Sequence, residues 1–330
     1  MKNVIEDIKK QEFKQVYLLY GEEVYLKLQY RDKLRQALNV ESDTMNYAYY
    51  SGKGISEGEI IDLAETMPFF AEHRVIVLED TGFFKNAVDK LADYMKNLPE
   101  YLVLIFVETE VDKRNKMFKA VQKAGRVVEF STQKEDTLLT WIARMLGSVN
   151  KRITKADAQY LLSRTGTDMS NIAAEVEKLI CYALERDVIT KQDINEICTE
   201  LMENRIFEMI RAVTEQNQEK ALDLYYDLLA LKEPPMRILF LLARQYNQLL
   251  QVKELLEHGN GQQEIAGKMK LQSFIVKNYI NYAKLYTKKE LLQMVTECTK
   301  TEEAVKTGLM TDVLSVELLI VSFSTKKVLE

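Results

Sequence analysis

Up to residue 130 the apolar positions come in short continuous runs; beyond it they recur every three or four residues. The runs VYLLY (16–20), MNYAYY (45–50), RVIVLE (74–79), YLVLIFVE (101–108) and RVVEF (126–130) have the length and the β-branched and aromatic content of strands. The third and fourth are apolar almost throughout, which suits the middle of a parallel sheet covered on both faces. Between them lie stretches of helical period: VYLKLQYRDKLRQAL, SEGEIIDLAETM (ending at Met67), AVDKLADYMKNL and KRNKMFKAVQKAG. Strand and helix in alternation predict an open α/β sheet over residues 1–135.

From residue 136 the strand signal stops. EDTLLTWIARMLGSV, TKADAQYLLSRTG, TDMSNIAAEVEKLICYAL and TKQDINEICTEL read as short amphipathic helices. Each begins near Ser, Thr or Asp, whose side-chain oxygens accept from first-turn N–H groups. Gly166 sits in the turn SRTGTD and can take positive φ. This predicts a small helical domain over 136–203 and a second one, with longer helices, over 204–330. In the latter, PPMRILFLLARQYNQLLQVKELLEHGNG starts with Pro235 in a first-turn position and stops at Gly259. Its wide apolar face marks the central helix of a bundle, with subunit packing as the alternative use of that face.

Composition narrows the classes. The 330 residues are 47% hydrophobic and 29% charged, as in ordinary globular proteins. No apolar run approaches the roughly 20 residues that span a bilayer, and MKNVIEDIKK lacks the apolar centre of a signal peptide. No membrane contact is expected. Cys181, Cys198 and Cys298 are scattered and odd in number, which fits a reducing, cytoplasmic setting rather than a disulfide framework. His73 and His258 do not cluster with them, so no metal site is expected. With a net charge of −5, any contact with nucleic acid must use a local patch.

The strand VYLLY is followed by a glycine and then a helix, the setting of a phosphate loop, G-x-x-x-x-G-K-[ST]. On that template Gly21 is the first glycine and Lys27 the lysine. Leu26 replaces the second glycine, and Leu28 replaces the hydroxyl residue that would bind magnesium. Glu22 and Glu23 put negative charge inside the loop. Lys27 reads as a solvated residue of the first helical turn. Glu79 and Asp80, which end RVIVLED, could supply an acidic metal partner, but the hydroxyl they would work with is missing; a solvated strand end is the preferred reading. No Ser/His/Asp or Cys/His constellation is evident. The nucleotide site is present in outline and disabled in chemistry, and no cofactor is expected.

Several blocks, in order, resemble one family. They are VYLLYGEEVYL, TMPFFAEHRVIVLED, VDKRNKMFKAVQKAG, GTDMSNIAAEVEKL, LLARQYNQLLQVKELLEHG, EIAGKMKLQSFIVKN and EEAVKTGLMTDVLSVELLI. Each is weak alone, and together they run nearly end to end. The chain resembles the delta-subunit family of the bacterial DNA polymerase III clamp loader. The resemblance implies a RecA/AAA+-like domain over 1–135, a helical lid over 136–203 and an oligomerising helical collar over 204–330. It implies a subunit that does not hydrolyse ATP and works beside ATPase and delta-prime subunits to open the sliding clamp (the beta subunit) for primed DNA. Ser170 stands near where an active relative places a lid arginine, and no Ser-Arg-Cys follows RVVEF.

In that family an apolar plug at a helix end in the first domain meets the clamp, and the matching residues are Met67, Pro68, Phe69 and Phe70. The residues themselves allow that use and leave a second one open. Pro68 cannot continue a helix, and two adjacent phenylalanines cannot both face one side of a regular element. Either one projects outward or both fold back beside RVIVL. Two other functions are open: an active AAA+ ATPase using Lys27, Glu79 and Asp80, and a DNA-binding regulator using the helix-turn-helix-like QQEIAGKMKLQSFIVKNYI.

Overall fold

A computed structural model describes residues 2–38, 45–271 and 273–325. Met1, positions 39–44, Gln272 and positions 326–330, which the three expected domains include, lie outside the described residues. The chain divides into two compact units, 1–133 and 134–330.

The first unit runs α1 (Lys2–Lys10), β1 (Val16–Tyr20), α2 (Val24–Ala37), β2 (Tyr47–Ser51), α3 (Glu57–Ala64), β3 (Arg74–Glu79), α4 (Asp89–Tyr94), β4 (Leu102–Glu108), α5 (Lys116–Ala124) and β5 (Arg126–Glu129). Among the described residues its five strands form one parallel sheet in the order β2-β3-β4-β1-β5, the RecA/AAA+-like open sheet expected. Register places Leu18 between Phe106 and Val127, and Ile76 beside Leu104. The inner strands β1, β3 and β4 are buried along nearly their whole length, while the edge strands β2 and β5 are half-buried. That is why the continuous apolar runs were the inner strands: helices cover both of their faces. One face is filled by Val16, Leu18, Ile76, Leu104 and Phe106 against Ile60, Phe84, Leu91 and Val121.

Helix ends depart from the sequence pattern in one instructive place. α3 stops at Ala64 and does not reach Met67. A residue before proline is pushed out of the helical region, so Met67 is excluded from the helix as well as Pro68.

The second unit is largely helical. α6 (Glu135–Gly147), β6 (Arg152–Ile153), α7 (Lys155–Thr165), α8 (Met169–Ala183), β7 (Val188–Ile189) and α9 (Lys191–Ile197) are followed by α10 (Met202–Thr214), α11 (Gln218–Ala230), α12 (Pro235–Glu257), α13 (Gln262–Met269), α14 (Ser273–Ala283), α15 (Lys288–Lys306) and α16 (Asp312–Ser324). The expectation that strands cease at 135 is corrected by β6 and β7, which pair in parallel. Two residues per strand are too few to write an alternating pattern. Thr154, Asp168 and Thr190 accept from the first turns of α7, α8 and α9 as expected, whereas α6 has no side-chain cap. Gly166 ends α7 with φ of 78°. α12 begins at Pro235, and its buried residues Ile238, Leu242, Tyr246, Leu249 and Val252 pack among α10, α14, α15 and α16.

Candidate functional site

The two sets of singled-out residues lie at opposite ends of the N-terminal sheet, and strands of this length set those ends roughly 20 Å apart.

The loop after β1 lies at the C-terminal end, where the strand order reverses and ligands of open α/β sheets commonly bind. Gly21 has φ of 124°, and a Cβ there would stand 2.3 Å from the Phe130 carbonyl oxygen, so only glycine fits. The Gly21 N–H donates to Glu108 O at 3.2 Å, and the Glu23 N–H donates to Phe130 O at 3.0 Å. A phosphate cradle works by directing such N–H groups at the anion. Here they are directed at protein carbonyls. Leu26 is buried and Leu28 half-buried on α2.

Lys27 is not the solvated residue that the sequence suggested. It is 3% exposed, and Nζ donates to Glu108 O at 3.0 Å and to Thr109 Oγ1 at 3.5 Å. Its aliphatic stem carries the ammonium inward from the first turn of α2 to the end of β4. Burial lowers its pKa, opposed by the carboxylates of Asp80, Glu79, Glu108 and Glu23. Glu79 is likewise no solvated strand end: Oε2 accepts from Arg31 Nη1 at 3.0 Å and Tyr49 OH at 2.8 Å. Asp80 is exposed but folds back, with φ of 47°, to accept from Thr109 N at 3.0 Å and Oγ1 at 2.9 Å. Glu108, buried at the end of β4, accepts from Thr81 N at 3.0 Å and Oγ1 at 2.6 Å. Burial raises its carboxyl pKa. Above Gly21 a crevice of about 360 Å³ is bordered by Glu22, Glu110 and Glu129 as well as Lys113. Glu129 in turn accepts from Tyr20 OH and Lys113 Nζ, both at 2.9 Å.

At the other end of the sheet the chain between α3 and β3 carries Met67, Pro68, Phe69 and Phe70. Pro68 is half-buried, while Met67 is 75%, Phe69 56% and Phe70 95% exposed. The two rings meet edge to face with centroids 4.5 Å apart. The fold-back alternative is therefore not the conformation taken. Phe70 has φ of 50°. A bulky residue in that region costs about 1–3 kcal/mol and persists only where its surroundings hold it. They do so through three groups at the starts of β2, β3 and β4. Asn46 accepts from Phe69 N at 2.6 Å and donates Nδ2–H to Phe69 O at 2.9 Å. Arg74 Nη2 donates to Met67 O at 3.3 Å, and Tyr101 OH donates to Glu65 O at 3.0 Å.

The sequence reading thus found both stretches but missed Asn46, Arg74, Tyr101, Glu108 and Thr81. The only signal available was a polar or amphipathic residue at the margin of an apolar run; their partners are 7 to 36 positions away.

In the second unit, α13 and α14 are the two helices of the helix-turn-helix-like stretch, with Gln272 between them outside the described residues. Val276, Tyr279 and Ala283 of α14 are buried, and among its described side chains the exposed cation is Lys277, with Lys284 in the turn that follows.

An open parallel sheet of this order, with a glycine turn after β1 and a helical unit following, is that of an AAA+-like protein. A family model described as DNA polymerase III, delta subunit matches residues 17–131, and one described as DNA polymerase III delta subunit, C-terminal domain matches residues 203–323. Together they match more than two thirds of the chain. The chain belongs to the DNA polymerase III delta subunit family. It is 27% identical over 330 residues to the DNA polymerase III subunit delta of Bacillus subtilis, covering 96% of this chain and 95% of that one. It is 24% identical over 294 residues to a probable DNA polymerase III subunit delta of Aquifex aeolicus, covering 85% and 83%. The solved structure of the Bacillus subtilis DNA clamp loader delta protein matches with a TM-score of 0.72 at 26% identity, over 98% of this chain and 99% of that one. Among the described residues, no helix is long and apolar enough to cross a membrane.

Proposed function

We propose that this chain is the clamp-opening subunit of a replicative clamp loader and that Met67, Pro68, Phe69 and Phe70 are its contact with the sliding clamp. The observation that carries the reading is the Phe69–Phe70 pair, bare to solvent on a turn whose backbone is tied down. Exposed adjacent aromatics on a fixed turn have the character of an interface anchor. Each phenylalanine contributes about 2–3 kcal/mol when buried in a partner's pocket, and Met67 adapts to irregular gaps. Such an anchor opens a clamp only if the open form fits it better than the closed form.

We further propose that the chain does not hydrolyse ATP. The residues of the loop after β1 do not fit a nucleotide: the N–H groups of Gly21 and Glu23 are bonded to Glu108 and Phe130, Lys27 is bonded to the end of β4, and carboxylates border the crevice. Nucleotide then acts through neighbouring ATPase and delta-prime subunits that cover or release the tip, and primed DNA is met by the assembled complex. Residues 136–203 form the lid and 204–330 the collar in this reading. The exposed apolar side chains Leu309, Met310, Val313, Leu314 and Leu318, on and just before α16, support a collar that packs against other subunits.

The test is binding of the purified chain to its own sliding clamp, wild type beside the Phe69→Ala/Phe70→Ala variant, with ATP binding measured on the same samples. Loss of clamp binding in a folded variant is expected, with no ATP bound by either. A folded variant that binds the clamp like wild type would overturn the tip assignment. ATP bound by the isolated chain would return the ATPase reading.

A further inference from the structure

Asn46 does something the proposed function does not require of it. It stands immediately before β2 and is 2% exposed. Its own carbonyl accepts from Val75 N at 2.9 Å, so its backbone belongs to the pairing of the edge strand with β3. Its side chain points 23 residues along the chain and takes up both backbone groups of Phe69, N–H and C=O. A primary amide suits this pairing because it offers an acceptor and a donor side by side. Aspartate would set a carboxylate oxygen against the Phe69 carbonyl, and serine is too short to reach both. The next residue, Phe70, is in the left-handed region with its ring 95% exposed. Its ring makes no enclosing contact that would hold that backbone, so the hold comes from Phe69 and from Arg74 on Met67 O.

We propose that Asn46 is the positioning residue of the tip: its buried amide locks the Phe69 backbone to the sheet edge and presents the Phe69–Phe70 pair to the partner in its binding conformation. The inference rests on the tip being the clamp contact. Preorganisation removes the ordering cost of association. Without the clasp the phenylalanines keep their chemistry, but the turn must be ordered during the encounter. Affinity falls through the association rate, by roughly tenfold.

The experiment uses the full chain with Asn46→Ala, Asn46→Asp, Phe69→Ala/Phe70→Ala and the combination of Asn46→Ala with the phenylalanine pair. Thermal stability, clamp association and dissociation rates, and hydrogen exchange at the Phe69 amide are measured for each. The expected result is faster exchange at Phe69 in Asn46→Ala with β3 and β4 amides unchanged, a roughly tenfold slower clamp association, and no additional loss when Asn46→Ala is combined with the alanine pair. Asn46→Asp keeps the acceptor for Phe69 N–H, so it retains Phe69 protection better than Asn46→Ala while still slowing association. A folded Asn46→Ala that binds the clamp at the wild-type rate, while the phenylalanine variant does not bind, would overturn the clasp and leave the tip assignment standing. Wild-type binding by the phenylalanine variant would overturn both. Failure of both Asn46 variants to fold would make Asn46 a closure of the core and overturn a positioning role.

Discussion

At the C-terminal end of the sheet a charged side chain, Lys27, is drawn in until it is 3% exposed; at the N-terminal end Phe70 is held out until it is 95% exposed. Each inverts the usual partition of residues, and each needs partners to do so. Lys27 is accommodated by the Glu108 carbonyl and four carboxylates. The phenylalanines are accommodated by polar groups acting on their backbone, not on their rings. Inward charge closes a site on itself, while outward apolar surface leaves one open to a partner. In the proposed function, the end that resembles a nucleotide site in sequence is the closed one.

The largest effect expected on this contrast is at the open end. Removing both rings with Phe69→Ala/Phe70→Ala is expected to cost about 4–6 kcal/mol of clamp affinity, on the order of a thousandfold to ten-thousandfold, with the melting temperature unchanged, because neither ring fills the core. Titration by calorimetry beside a melting curve checks both halves.

At the closed end the sharpest break is Lys27→Glu, which sets an anion among Glu23, Glu79, Asp80 and Glu108. A loss of about 3 kcal/mol or more is expected in chemical denaturation. Lys27→Met keeps the stem and drops the charge, and should stay within about 1 kcal/mol of wild type, since burial already disfavours the ammonium. A Lys27→Met variant that lost nucleotide-dependent behaviour of the isolated chain would show this end to be open after all.

Gly21→Ala comes next, at about 2–3 kcal/mol, since the new methyl meets the Phe130 carbonyl at a backbone angle that side chains rarely adopt. The loss should appear as a lowered denaturation midpoint with an unchanged slope.

Glu108→Gln gives the smallest effect, and pH resolves it. Burial raises the Glu108 carboxyl above its ordinary 4.5, so its protonated form favours the folded state. That contribution is complete below pH 4.5 and is lost as pH rises through the folded value. The amide can still accept from Thr81, so the variant should differ by less than about 1 kcal/mol at neutral pH and show a flatter stability profile above pH 4.5. An unchanged profile would mean that Glu108 does not titrate there.

The sheet was legible because its signal is local and repeated. VYLLY and RVIVLE coincide with β1 and β3 to the residue, since a strand buried on both faces is apolar along nearly its whole length. The faults of the phosphate loop were legible too, because a missing glycine and a missing hydroxyl are statements about single positions. Pro68 and simple alternation marked the turn but left open whether a phenylalanine projects or both fold back, and only the structure decided it. The fate of Lys27 was not: its partner Glu108 lies 81 positions away, and only the packing of α2 beside β4 brings the two together.

By itself the sequence determined the alternation of strand and helix, the family, and which residues of the phosphate-loop pattern are missing after β1. Each of these depends on residue type and on spacing within one element. Tertiary structure alone decided that Lys27 turns inward, that Asn46 grips Phe69, and that the phenylalanine pair is held out on a strained backbone. Those outcomes depend on hydrogen bonds between residues 7 to 81 positions apart, whose geometry exists only once the strands are in register.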